Sequence, residues 1–409
     1  MEQAILTEKS LPQDVLIDIL VRLPADLLTT LRHNSKALGT FFSNDSQFVK
    51  SHWENSIPKI IALGSVKRDS DEIASLYIAK NIKSCDHALA LKRPPFEVLK
   101  SYIVCGMSHG VLSLIDRAES WHRHRTLVSD VYLWNPLTKE KFIIQCPPIP
   151  CHFPINSDDC RVVFGFGFLQ DATTFKVLRL LYVPAVTYCS TFAYRSREFR
   201  SHVSLYNVCT ASWKNLPDLS TEIRNINPLN PVEMVNDCLH WVAAVSNDIR
   251  ILAFNIKEET FQLMPTPIST RYSSLHVTKL RGQLCIFDNP PPSWQPPNYT
   301  AGYLELWVMK EYGVNHSWTK LLKIEGSFEQ LMPQGVAKNG QLILKKHTEI
   351  SSWGPIHELV QYNEKTEVLS HIKKFEKPFE FIQPFKESLI SIRSMQKEAP
   401  EDQGPSERE

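Results

Sequence analysis

Side chains able to do chemistry are plentiful in this chain, but they stand at intervals that suit no catalyst. His357-Glu358-Leu359-Val360-Gln361 opens like the metal-binding helix of a zinc protease, yet glutamine stands where the second histidine is required. The stretch also reads as a strand, in which two ligands four residues apart lie too far from each other to share an ion. Gly165-Phe166-Gly167 is followed by Gln170, not by the third glycine of a phosphate-binding loop, and no Gly-x-Ser-x-Gly nucleophile turn occurs. His109, the stretch Trp121-His122-Arg123-His124-Arg125, and the set Cys146, Cys151, His152 and Cys160 all lack structural-zinc spacing. No catalytic residue, metal ligand or cofactor is therefore assigned. A glycosidase carboxylate pair has no fixed spacing, so residue intervals alone leave that class open.

What the chain does offer is binding chemistry in loops. Three segments between apolar runs are longer than a hairpin needs: Glu119 to Ser129, Pro184 to Arg200 and Asn289 to Thr300. They carry Trp121, His122 and Arg123, then Tyr194, Arg195 and Arg197, then Trp294 and Tyr299. Aromatics mixed with arginine are the residues that dominate binding energy at protein interfaces. The arginines of the second segment suit a partner bearing carboxylate or phosphate, which a guanidinium pairs bidentately. Trp121, Arg123, Tyr194, Arg195, Arg197 and Trp294 are the candidate target-binding residues. The proline-rich run from Asn289 to Pro297 is read as an ordered surface loop in preference to a polyproline ligand.

The elements that must position these loops follow from composition and periodicity. The 409 residues carry a net charge of +1, against the broad basic surface of a nucleic-acid binder. No apolar run approaches the roughly eighteen residues of a membrane helix. The first residues, MEQAILTEKSLPQD, lack the basic start and apolar core of a signal peptide. The 9 cysteines are scattered without framework spacing and read as reduced thiols. The expectation is a protein of the cytoplasm and/or nucleus that binds neither nucleic acid nor membrane.

From Ser10 to about Trp53 the pattern is helical. Ser10-Leu11-Pro12-Gln13 supplies a capping serine, an early proline and a glutamine three residues on. Val15, Leu16, Ile19, Leu20 and Leu23 follow on one predicted helical face, and Pro24 ends the helix. Further short helices are predicted through Asp26–Leu31 and Ser35–Phe42, with Asn44-Asp45-Ser46 capping one that carries Phe48, Val49 and Trp53. So short a segment is poorly placed to bury all its leucines by itself, and must dock on the remainder or on a partner.

The stretch LPQDVLIDILVRLPADLLTTLRHNSKAL resembles an F-box, the module that binds a Skp-type adaptor and through it a cullin. The match is carried by Leu11, Pro12, Val15, Leu16, Ile19, Leu20, Arg22, Leu23, Pro24, Leu28 and Lys36, then Phe48 and His52. The resemblance implies adaptor contact through Leu11, Pro12, Val15, Leu16, Ile19, Leu20, Leu23, Pro24, Leu28 and Lys36. Thr30, Asn34 and Leu38 depart from it, standing where a basic residue, valine and tryptophan are usual. A polar Asn34 on an apolar contact face would weaken that contact, because burying an unpaired amide is costly.

After Asn55 the period changes. A strand, a turn holding asparagine and a second strand recur from Val131, Val203, Ile251 and Leu359, with a looser copy from Leu304. Each has a partner strand shortly before it, from Gly110, Val162, Asp237, Gly282 and Gly340. Four-stranded units at intervals of roughly fifty residues are the grammar of a kelch-like propeller. About six blades are expected, the last closing if the strand from Glu387 pairs near Ile60–Leu63. Asn135, Asn207, Asn255 and Asn363 are expected to bond locally at the turns, and Trp134, Tyr206, Phe254, Trp307 and Tyr362 to pack between blades.

WNPLTKE, FGFGF with the following FKVLRL, and LELWVMKEYGVNHSWTKL resemble the F-box-associated domain of plant F-box proteins, over about Val104 to Ile392. The two resemblances imply an F-box domain at 8–55, an all-β propeller domain at 56–393 and a charged tail at 394–409 that reads as disordered. They imply a non-enzymatic subunit of a ubiquitin ligase that carries a target protein; an F-box in front of a glycosidase would lack a purpose. The alternative is a β-propeller interaction protein outside a ligase, with the helices as a cap or as a binding module for something else.

Overall fold

The computed structural model describes residues 12–68, 71–79, 89–92, 102–116, 130–148, 161–171, 173–183, 186–187, 195–196, 199–227, 234–246, 248–268, 275–289, 302–326, 331–336, 341–351, 354–374 and 379–395. Four helices come first: α1 (Gln13–Val21), α2 (Ala25–Asn34), α3 (Lys36–Asn44) and α4 (Ser46–Asn55). Pro12 and Pro24 stand just outside the starts of α1 and α2, where a missing N–H costs nothing. Ser35 and Asp45 cap α3 and α4, their side chains accepting from Leu38 N (3.4 Å) and Phe48 N (2.8 Å). Leu20, Val21, Ala25, Leu28, Phe42, Phe48 and Val49 form the buried side of this module. The Phe42 and Phe48 rings stack 5.1 Å apart at its centre.

The rest is a β-propeller. Five blades, where about six were expected, are each built from four antiparallel strands taken in chain order, and in the second a two-stranded hairpin (Val186–Thr187 with Arg195–Ser196) intervenes between the second and third strands. The first blade runs from Tyr102–Ser108 to Lys141–Ile144, and the second from Arg161–Leu169 to Ser212–Leu216. The third runs from Ile223–Ile226 to Thr260–Pro265, the fourth from Leu275–Leu280 to Trp318–Gly326, and the fifth from Leu331–Val336 to Val368–Lys374. A further four-stranded sheet joins the two ends of the chain, in the order Phe379–Phe385, Lys59–Arg68, Asp71–Ala79, Leu89–Lys92. Its closing strand is Phe379–Phe385, which pairs Lys59 with Phe385 and Leu63 with Phe381. The expectation that residues from Glu387 would supply that strand is thus corrected. Glu387–Ile392 forms no strand, is wholly buried, and leads into a 3-10 turn at Arg393–Met395.

The repeat has a physical basis in its turns. Asn135, Asn207, Asn255 and Asn363 each accept, through Oδ1, the N–H two residues on, at 2.9–3.0 Å. This side-chain bond imitates a backbone turn. The residue four positions after each asparagine takes a left-handed conformation: Lys139, Ala211, Glu259 and Glu367. Paired left-handed residues also make the tight turns His109-Gly110, Asn236-Asp237 and Arg281-Gly282 between the first two strands.

Close approach between blades explains FGFGF. A side chain at Gly165 would lie 2.6 Å from Leu239 Cδ1, and one at Gly167 2.8 Å from the Met234 sulfur. Phe164, Phe166 and Phe168 alternate with these glycines and join the core that reaches the helices. Of the five inter-blade aromatics expected, Trp134, Tyr206, Phe254 and Tyr362 are buried. Trp307 is half-buried, with the Lys320 ammonium 4.9 Å above its ring.

Candidate interaction site

The α1 helix is apolar on both sides. Ile17, Leu20 and Val21 turn inward, and Leu28 of α2 joins them in the core. Outward stand Val15, Leu16 and Ile19, 40%, 37% and 43% exposed, with Leu27 of α2 at 51%. Pro12 and Pro24 are exposed beside them, Leu23 is half-buried, and Lys36 is exposed at the start of α3. Asp18 and Arg22 form an exposed ion pair, 2.9 Å apart, at the end of α1. Clustered apolar side chains left in water mark a contact surface.

The candidate adaptor residues fall in different places. Leu20 and Leu28 are buried in the core that holds the helices together. Leu11 lies outside the described residues. Leu27, absent from the expected set, is the most exposed large apolar residue on α1 or α2. Spacing does not single it out, because one leucine of the adjacent pair Leu27-Leu28 faces away from the other and sequence does not say which. Thr30 is exposed and bonds the Asp26 carbonyl (3.0 Å), Asn34 is exposed at the end of α2, and Leu38 packs half-buried against the core.

The module is seated on the propeller at a defined seam. Trp53 of α4 stacks on His109 with ring centres 4.2 Å apart, and His109 in turn meets Phe168 at 4.5 Å. Burial in this stack, with Lys279 adding a smaller effect, lowers the His109 pKa to about 4. His52, which stacks on Phe48, bonds the Leu23 carbonyl at 3.0 Å, and burial lowers its pKa despite that bond. The Lys386 ammonium bonds the Trp53 and Glu54 carbonyls at 3.3 and 3.0 Å, closing the carboxyl end of α4.

Residues 124–380 match the model of the F-box associated beta propeller domain. The chain belongs to that family. It is 23% identical over 366 residues to the F-box protein CPR1 of Arabidopsis thaliana, covering 82% of this chain and 79% of the relative. A second Arabidopsis F-box protein is 26% identical over 351 residues, covering 81% and 75%. An F-box/kelch-repeat protein of the same plant is 24% identical over 349 residues, covering 82% and 85%.

Within this F-box-associated propeller the strand topology locates the three long segments. Each joins the second strand of a blade to the third: Val111–Asp116 to Val131–Trp134, Thr174–Val183 to Arg200–Asn207, and Gln283–Asp288 to Gly302–Met309. In an antiparallel blade those connections emerge at the opposite end from the first and third turns. The helices sit at the end that carries the His109-Gly110 and Asn135 turns. The strand ends bearing the three segments therefore face away from the helices. Trp121, Arg123, Tyr194, Arg197 and Trp294 lie outside the described residues. Arg195 belongs to a two-stranded hairpin in which it pairs with Thr187. Among the described residues no group of three or more His, Cys, Asp or Glu is placed to hold a metal ion. No described helix is long and apolar enough to cross a membrane.

Proposed function

We propose that this chain is the substrate-recognition subunit of a Skp–cullin–F-box ubiquitin ligase. A Skp-type adaptor docks on the outer face of α1 and α2 and brings a cullin with it. The propeller holds a target protein, which is ubiquitinated and degraded, and the chain itself performs no bond chemistry. The observation that carries this reading is the apolar face of Val15, Leu16, Ile19 and Leu27, exposed on a module whose other side is fully used by its own core. Membership of a family named for its association with the F-box agrees with it. The target is held at the propeller end away from the helices, with Arg195 and its neighbours meeting acidic or phosphorylated groups. The work is done in the cytoplasm and/or nucleus, a reducing setting in which Cys105, Cys146, Cys209, Cys238 and Cys285 stay free thiols.

The test is co-purification of a Skp-type adaptor with the full chain and with a Leu11→Ala/Pro12→Ala variant. The wild type retains the adaptor and the variant loses it, with an unchanged thermal unfolding profile. Equal retention by both would remove the adaptor assignment.

A further inference from the structure

A buried segment without regular structure is costly, because its backbone N–H and C=O groups lose water and must find other partners. Residues 387–392 are such a segment, and Ser388, Leu389 and Ile392 have no exposed surface. Their partners come from one turn of the first blade. The Asn135 amide donates to the Ser388 and Ile390 carbonyls at 3.0 and 2.9 Å. Glu140 Oε2 accepts from the Ser391 hydroxyl (3.0 Å), the Ile392 N–H (2.7 Å) and the Arg393 N–H (3.3 Å). Its other oxygen faces the Arg32 guanidinium of α2 at 3.7 Å. One carboxylate thus touches the blade, the segment and the helices.

The segment lies between the two halves of the molecule. Leu389, Ile390, Ile392 and Met395 share a single core with Leu20, Val21, Leu28, Phe42 and Phe48 of the helices and with Val111, Leu133 and Phe166 of the blades. Lys386 closes α4, and Glu387 pairs with Lys59 at the start of the closing sheet. Gly110 admits the segment's backbone, since a side chain there would fall 2.7 Å from Ser388 N, and its left-handed φ of +76° suits glycine as well.

The repeat itself marks this turn as different. At the position five after the turn asparagine, the other three turns carry Ser212, Thr260 and Val368, and only this one carries glutamate. We propose that Lys386–Met395 is a strap, with Glu140 as its latch, that holds the helices at one fixed angle on the propeller. Its consequence, a set distance between adaptor face and target-holding loops, rests on the function proposed above. A carboxylate is required at the latch because three donors converge on one oxygen and a cation faces the other. Glutamine would present its amide hydrogens to Arg32 or to the strap.

Amide hydrogen exchange on the full-length chain, followed by mass spectrometry, tests the strap. In Glu140→Ala, peptides spanning 386–395 and α4 are expected to exchange at least about tenfold faster, while strands of the third and fourth blades keep their protection. Glu140→Gln should fall between, and Thr260→Ala, at the matching position of the third blade, should leave both peptides unchanged. Should Glu140→Ala fail to fold, Ser391→Ala removes one of the three donors and is expected to loosen the same two peptides. Unchanged protection of those peptides, or an equal loss across all blades, overturns the proposal. Adaptor co-purification in parallel separates the two ideas: a wild type that binds no adaptor removes the proposed function and leaves the exchange result to decide the strap.

Discussion

The helical module and the blades use the same apolar residues for opposite purposes. In the blades most apolar strand residues, such as Leu178, Leu180, Leu252 or Leu306, are buried between sheets. The large apolar exceptions Ile143, Leu263 and Val368 stand singly on the outermost strands of three different blades, as scattered surface residues commonly do. In the module the exceptions are contiguous: Val15, Leu16 and Ile19 share one side of α1, with Leu27 nearby on α2. A closed ring satisfies its own strands, whereas two short helices possess more apolar surface than one core can cover. The difference teaches that an apolar residue says nothing of a partner until its neighbours are seen to be exposed with it.

The sharpest way to break the contrast is at the closing sheet. Ending the chain before Phe379 removes the innermost strand of that sheet and should abolish soluble, cooperatively unfolding protein, because an open ring exposes unpaired edges. Ending it after Phe385 keeps the closing strand, and the blades should still melt as a unit. The next effect belongs to the helices. Leu28→Ala empties a fully buried site and should cost about 2–5 kcal/mol in thermal or denaturant unfolding, whereas Leu27→Ala next to it should stay within about 0.5 kcal/mol.

A pH effect distinguishes seam from blade. Burial holds His109 at the seam and His276 in the fourth blade near a pKa of about 4, each down from 6.5. Both are therefore neutral in the folded protein over a range in which the unfolded chain takes up protons. Stability present above about pH 6.5 should decline on acidification through that window and level off below pH 4. His109→Gln should flatten part of that decline as followed by Trp53 fluorescence at the seam; an unaltered slope would show that the stack does not contribute. The smallest effect is local. Ala211 sits left-handed at φ +49° in the second blade's turn, so Ala211→Gly should raise stability by up to about 1 kcal/mol, read as a small upward shift in unfolding temperature.

Much of the fold was legible because its rules are local. The turn asparagines are readable since their side chains bond only two or three residues ahead. The partner strands begin just after Gly110, Asp237 and Gly282 because each is the second left-handed residue of a tight turn. The ring closure was misread for a physical reason. Glu387 to Arg393 alternates like a strand, but its pattern reflects packing between helices and blade. The true closing strand holds Pro384, which an innermost strand tolerates on its free side. At the candidate site, periodicity found α1 but could not divide its apolar residues between core and surface, because they fill six of its nine positions and spread over more than one face. The latch at Glu140 was visible only as part of a motif, since its partners lie about 250 residues away.

The central claim is that the exposed face of α1 is a Skp-type adaptor's docking surface, and one titration tests it most directly. A purified Skp-type adaptor is titrated by calorimetry into the full-length chain and into Leu16→Asp/Ile19→Asp, two side chains that no core contact holds. The account predicts binding to the wild type and an affinity loss of at least about a hundredfold in the variant, with both proteins unfolding at the same temperature. Equal affinity for the two chains would contradict it.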